Sequence, residues 1–169
     1  MKANNERGKA APVLESTEIK FSWIEPGKLA ASEMPFFASD IRLLHSNGIR
    51  AILTLTEEPL TILPEITPAF LKSLDISAYH VPVPDGYAPT YAQAEKILAY
   101  IRTARRAGRP LLIHCMLGVG RTGTVLHLYY MAQGLSLEEA QARVREKRPV
   151  CTRITPTQRA FLATWTGSV

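Results

Sequence analysis

Residues 110–123 read Pro110-Leu111-Leu112-Ile113-His114-Cys115-Met116-Leu117-Gly118-Val119-Gly120-Arg121-Thr122-Gly123, and the stretch changes character at its centre. Pro110 to His114 is a short continuous apolar run, the pattern of a strand buried on both faces of a sheet. Cys115 to Gly120 holds two glycines and predicts a loop. Arg121 to Gln133 is apolar on most faces and predicts a buried central helix. Strand, loop and helix in succession form part of an α/β unit, and such sheets bind ligands beyond the carboxyl ends of their strands. Cys115 occupies such an end.

The same alternation extends outward. Upstream, strands are predicted at Phe21 to Ile24, Lys28 to Ala31, Arg50 to Thr54 and Ala78 to Val83. Between them lie helical patterns around Phe37 to Ser46, stopped by Asn47-Gly48, and Pro68 to Leu74. Thr90 reads as the N-cap of a helix running through Arg106 and closed by Gly108. Downstream, Ser136 with Glu139 forms a capping-box pattern for a helix to about Lys147, and a last helix is predicted over Pro156 to Trp165. The fold class expected is therefore α/β, a central, mostly parallel sheet flanked by helices on both faces.

The chain of 169 residues, 46% of them hydrophobic, suits one domain with one substantial core. Residues 1–17 are polar and without periodicity, which predicts a mobile lead-in to a domain spanning 18–169. The formal charge of +5 is dispersed rather than gathered in blocks, so no nucleic-acid partner is expected. Two cysteines are too few for a disulfide framework, and no apolar run approaches the roughly 20 residues of a membrane span. Ala10 to Leu14 is too short for a signal-peptide core. The expectation is a cytoplasmic, soluble, monomeric protein with reduced thiols.

The loop has a definite chemical use. Its glycines let the backbone N–H groups of Met116, Leu117, Gly118, Val119 and Gly120 curl inward, and the helix behind adds its positive end, so the segment can cradle a phosphate dianion. The same donors stabilise a thiolate at Cys115 and make it nucleophilic near neutral pH. Arg121 supplies a planar fork for two phosphate oxygens. Thr122 is placed to hydrogen-bond the departing sulfur. Expulsion of an alkoxide or phenoxide needs a proton, and Val83-Pro84-Asp85-Gly86-Tyr87 offers the Asp85 carboxyl as general acid, and later as general base toward water. No metal or cofactor is required, and His45, His80 and His127 share no ligand spacing with either cysteine.

Each of these residues has a plainer reading when taken alone. A cysteine at a strand end is commonly a small buried hydrophobe, and an aspartate between proline and glycine is commonly a turn residue. The spacing of Cys115 to Arg121 with two glycines between them overrides the first, and partnership with that motif raises the second. Glu57 and Glu58 could pair with Arg121 from a neighbouring strand end or sit in a solvated loop. Cys151 is expected to pack without reactivity, and Arg102, Arg105, Arg106 and Arg109 to form the solvated face and end of a helix.

The segment His114-Cys115-x5-Arg121-Thr122-Gly123 resembles the signature of the Cys-based protein phosphatases, and an acid upstream of the nucleophile resembles the dual-specificity branch. Phe21-Ser22-Trp23-Ile24, Pro26-Gly27-Lys28-Leu29-Ala30, Leu55-Thr56-Glu57 and Arg148-Pro149 are similar to the small stand-alone atypical dual-specificity phosphatases, over about Phe21 to Trp165. The resemblance implies a protein tyrosine phosphatase-like fold and hydrolysis of phosphotyrosine, phosphoserine and phosphothreonine through a cysteinyl-phosphate. It matches Cys115 to the nucleophile, Arg121 to the phosphate-binding position, Thr122 to the sulfur-bonding position and Asp85 to the acid. It makes His114 the support of the cysteine's geometry and Gln158 the counterpart of the residue that positions hydrolytic water. A phosphoinositide or RNA 5′-phosphate phosphatase is the alternative within the class, though it would gain from lysines where Met116, Leu117 and Val119 stand. A catalytically silent phosphate-binding module is the alternative outside it.

Overall fold

A computed structural model describes residues 18–167, so the lead-in expected at 1–17 lies outside the described residues. Five strands form one sheet: β1 Phe21–Glu25, β2 Leu29–Ser32, β3 Ala51–Thr54, β4 Ser77–His80 and β5 Leu111–His114, in spatial order β1-β2-β5-β3-β4. Only β1 and β2 run antiparallel; β2–β5, β5–β3 and β3–β4 are parallel, as the pattern of strands separated by helices requires. The helices are α1 Ala38–Ser46, α2 Pro68–Ser73, α3 Tyr91–Arg106, α4 Gly120–Met131, α5 Leu137–Lys147 and α6 Pro156–Thr164.

Period-two alternation along the strands distributes the helices between the two faces. Leu29, Ala31, Leu53, Leu111 and Ile113 pack on one side with Ile97 and Ile101 of α3, Val125 and Tyr129 of α4 and Val144 of α5. Ala30, Ile52 and Leu112 point the other way, onto Ile41 and Leu44 of α1 and Leu71 of α2. β5 lies at the centre with all four residues buried, which explains its unbroken apolar sequence. Each such aliphatic side chain contributes roughly 1.5–3 kcal/mol by leaving water. The sheet thus holds the carboxyl end of β5 rigidly.

The helix starts follow their caps. Thr90 accepts the Gln93 N–H and Ser136 accepts the Glu139 N–H, with the reciprocal bonds of a capping box in both cases. The structure departs from the sequence reading in three places. β4 ends at His80 instead of Val83, because Pro82 and Pro84 have no N–H to give; Val81 and Val83 still donate to Thr54 and Leu55. Two short 3-10 turns, Leu60–Ile62 and Pro149–Thr152, join the expected elements. Arg105 is not merely a solvated face: it pairs with Glu25 at 2.6 Å and meets the Tyr129 hydroxyl, while Arg109 pairs with Asp75 at 3.2 Å.

Candidate active site

Cys115 follows β5 directly, and the chain then turns through Met116–Val119 into the first turn of α4. Gly118 sets the shape of that turn. Its φ is +64°, and a Cβ there would lie 2.2 Å from the Ser32 carbonyl oxygen at the end of β2. The Gly118 carbonyl accepts from Arg148 Nε and Cys151 Sγ, both at 3.2 Å, and the Met116 carbonyl accepts the Met34 N–H at 3.0 Å. The loop's carbonyls are thereby drawn outward. Gly118→Ala is expected to cost about 2–3 kcal/mol from positive φ and overpacking together, seen as a Tm lowered by roughly 5–10 °C; an unchanged Tm would show that the loop adapts.

The thiol of Cys115 is buried. Burial alone would push its pKa up. The Thr122 hydroxyl, the N–H groups of Thr122 and Val119, and the Arg121 charge outweigh that effect and hold the thiol below its ordinary value. Thr122 Oγ1 is itself buried with no other group to satisfy it, and its hydroxyl is among the groups that lower the Cys115 thiol. His114 is fully buried. Burial pulls it down to about 4, so the ring is neutral at physiological pH. Nδ1 then donates to the Cys115 carbonyl at 3.0 Å and Nε2 accepts from Thr54 Oγ1 at 2.8 Å, which fixes the tautomer and the strand end.

Arg121 is 3% exposed and is held by three groups. Nη1 donates to Glu57 Oε2 at 2.8 Å and to the Val83 carbonyl at 2.9 Å, and Nη2 lies 3.3 Å from Asp85 Oδ1. Nε is buried without a protein partner, a donor suited to an oxyanion. Of the two glutamates considered from sequence, Glu57 is the one that meets Arg121. Its other oxygen takes the Asp85 N–H at 2.8 Å, so one carboxylate ties the arginine to the acid loop. The hydrogen bond from Arg121 holds Glu57 below the usual carboxylate range.

Asp85 itself is exposed, its side chain at 86%, on a turn closed by Tyr87 N–H to Pro84 carbonyl. The turn is fastened from α6: Thr155 Oγ1 donates to the Gly86 carbonyl at 2.7 Å and Gln158 Nε2 to the Tyr87 carbonyl at 3.1 Å. Gln158 is fully buried, completes a capping box with Thr155, and lies about 3.2 Å from where a Cβ on Gly120 would stand. It therefore joins the acid loop to the start of α4. The structure brings together Asp85, Glu57, Gln158, His114, Arg121 and Thr122 around Cys115. Sequence reasoning missed Arg148 and Cys151 as supports of the Gly118 carbonyl; burial pushes the Cys151 thiol up to about 12. A groove of about 450 Å³ beside β4, lined by Pro59, Lys72, Tyr79, His80 and Arg109 among others, includes none of the Cys115 loop.

Residues 18–161 match a family described as "Swiss Army Knife protein, DSP-PTPase phosphatase domain". The dual specificity protein phosphatase Mpk3 of Drosophila melanogaster is 36% identical over 92 residues, covering 53% of this chain and 22% of that protein, so the chain spans about a fifth of that relative's length. The crystal structure of Tk-PTP in the active form superposes with a TM-score of 0.74 at 34% identity, covering 85% of this chain and 93% of that one. PTPMT1 in complex with PI(5)P shares the fold, with a TM-score of 0.73 at 21% identity over 84% of this chain and 91% of that one.

Proposed function

Because the chain belongs to the family of DSP-PTPase phosphatase domains, we propose that it hydrolyses phosphotyrosine, and less readily phosphoserine and phosphothreonine, through a cysteinyl-phosphate. In the first half-reaction the Cys115 thiolate attacks phosphorus in line with the leaving oxygen. The S–P bond forms as the P–O bond breaks, and the Asp85 carboxyl gives its proton to the departing oxygen. The loop N–H groups and the Arg121 fork bind the oxygens whose charge is redistributed in the transition state. In the second, water attacks the phosphorus and Asp85, now a carboxylate, accepts its proton. The S–P bond breaks, inorganic phosphate leaves, and the Thr122 hydroxyl stabilises the released thiolate. Gln158, beside Gly120, is the polar group assigned to that water, through the Nε2 hydrogen and Oε1 lone pair left beyond its bonds to the Tyr87 carbonyl and the Thr155 N–H. A reduced thiol at Cys115 is needed throughout, which suits a cytoplasmic setting; among the described residues no helix is long and apolar enough to cross a membrane.

The observation that carries this reading is the approach of Asp85 to within 3.3 Å of an arginine that shares its loop with a thiol of lowered pKa. Structural ion pairs also perturb pKa values, but they do not bring a nucleophile, an acid and an oxyanion cradle to one strand end. The purified protein is expected to turn over p-nitrophenyl phosphate between mildly acidic and neutral pH, at a rate unaffected by a metal chelator. Complete inertness over that range would leave a phosphate-binding module in its place.

A further inference from the structure

Seven large apolar side chains are exposed among the described residues, and five of them are Phe36, Phe37, Tyr87, Met116 and Leu117. These five do not lie scattered. Met116 and Leu117, the latter 71% exposed, stand on the phosphate loop itself. Phe36 and Phe37 end the segment that leaves β2, and that segment abuts the loop twice, through Met34 N–H to the Met116 carbonyl and through Ser32 and Glu33 against Gly118. Their backbone N–H groups are both fixed by Asp40 Oδ2 at 3.0 Å, which anchors the chain on which the two rings are presented. Tyr87 stands two residues beyond Asp85, and its carbonyl accepts from Gln158, a side chain that lies beside Gly120 at the start of α4.

The one cation of the loop at the same mouth is already committed. Glu57 and Asp85 both face Arg121, and no lysine stands between Cys115 and Arg121. A second anionic group on a substrate would meet the Glu57 carboxylate and find no loop cation besides Arg121, which Glu57 and the bound phosphate already engage.

Resting on the phosphatase reading above, we infer that this apolar rim selects the substrate: the site takes phosphotyrosine whose neighbouring residues are apolar, and it discriminates against substrates carrying further negative charge. Phe36 and Phe37 receive the side chains on one flank of the phosphotyrosine and Tyr87 those on the other. Exposed apolar surface gathered at a reactive centre contributes to recognition only when a substrate covers it. One such contact is worth roughly 10-fold or more in kcat/KM.

The test compares kcat/KM for two phosphotyrosine peptides that differ only in having leucine and valine, or aspartate and glutamate, on either side of the phosphorylated residue. Vesicles of phosphatidylcholine containing a phosphoinositide form a third arm, and p-nitrophenyl phosphate, which has no flanks, the reference. The wild-type protein is expected to prefer the apolar peptide by roughly 10-fold over the acidic one and over the lipid. Phe36→Ser should shrink that preference several-fold with the p-nitrophenyl phosphate rate unchanged, and Phe36→Leu should restore most of it. Equal rates on the two peptides, faster turnover of the acidic peptide or the phosphoinositide, or a preference untouched by Phe36→Ser would overturn the inference while p-nitrophenyl phosphate turnover still upheld the phosphatase reading. Failure of the wild type on p-nitrophenyl phosphate would overturn both.

Discussion

Cys115→Ser is expected to abolish turnover, by on the order of 10⁴-fold or more, while phosphate still binds. The Thr122 hydroxyl, two backbone N–H groups and Arg121 outweigh the cost of burial and hold the Cys115 thiol below its ordinary value. A serine hydroxyl in the same place stays protonated, since an alcohol is a far weaker acid than a thiol and the same donors do not close that gap. The cradle itself does not depend on sulfur. Its shape comes from the contact of Gly118 with β2 and from the bonds that Arg148, Cys151 and Met34 make to loop carbonyls. Titration calorimetry with inorganic phosphate should therefore give similar affinities for the two proteins. The two cysteines supply an internal control for the ionisation argument. Near neutral pH iodoacetamide should modify Cys115, with phosphate protecting it, and should leave Cys151 untouched because burial raises that thiol to about 12. A serine variant that keeps a substantial rate, or equal alkylation of both cysteines, would remove Cys115 from its role.

The sequence was most informative where the chemistry is contiguous. Cys115 to Thr122 is a local construction, in which turn geometry needs glycine, thiolate stabilisation needs a helix start, and oxyanion binding needs arginine, so residue types and spacing carry the reading without a fold. Helix starts at Thr90 and Ser136 were equally legible because a capping box spans only four residues. The box at Thr155 and Gln158 was there to be read in the same way, yet its partners were not: both side chains also hold carbonyls of the acid loop some seventy residues away. Glu57 and Arg121 are 64 residues apart, and Glu25 lies 80 residues from Arg105. No periodicity records such pairs: Glu57 meets Arg121 because parallel β3 and β5 bring their carboxyl ends to one edge of the sheet, and Glu25 meets Arg105 at the opposite edge, where antiparallel β1 ends beside the start of β2. Gly118 shows the same limit at short range. Its presence predicted a loop, but the need for it arises from the backbone of β2.

Asp85→Asn is expected to lower the rate by roughly 10²–10⁴ for substrates with weakly acidic leaving alcohols, the range of a positioned general acid. Asparagine keeps the size of the side chain and the backbone N–H that Glu57 accepts, so the turn should persist while the transferable proton is lost. Acidic phenols leave as anions without help and should lose less. A series of aryl phosphates should therefore depend more steeply on leaving-group pKa in the variant than in the wild type, and the basic limb of the pH profile should flatten. Glu57 is the nearest rival for the proton. Its carboxylate accepts from Arg121 and from the Asp85 N–H, and the arginine holds it below the usual carboxylate range, so it is ionised across the pH range in which an acid is needed. A group stabilised as an anion by Arg121 orients that arginine and the Asp85 turn; it has no proton to give. Loss of the same factor for every leaving group, with the basic limb retained, would make Asp85 a turn residue and return the question to Glu57 and Glu58.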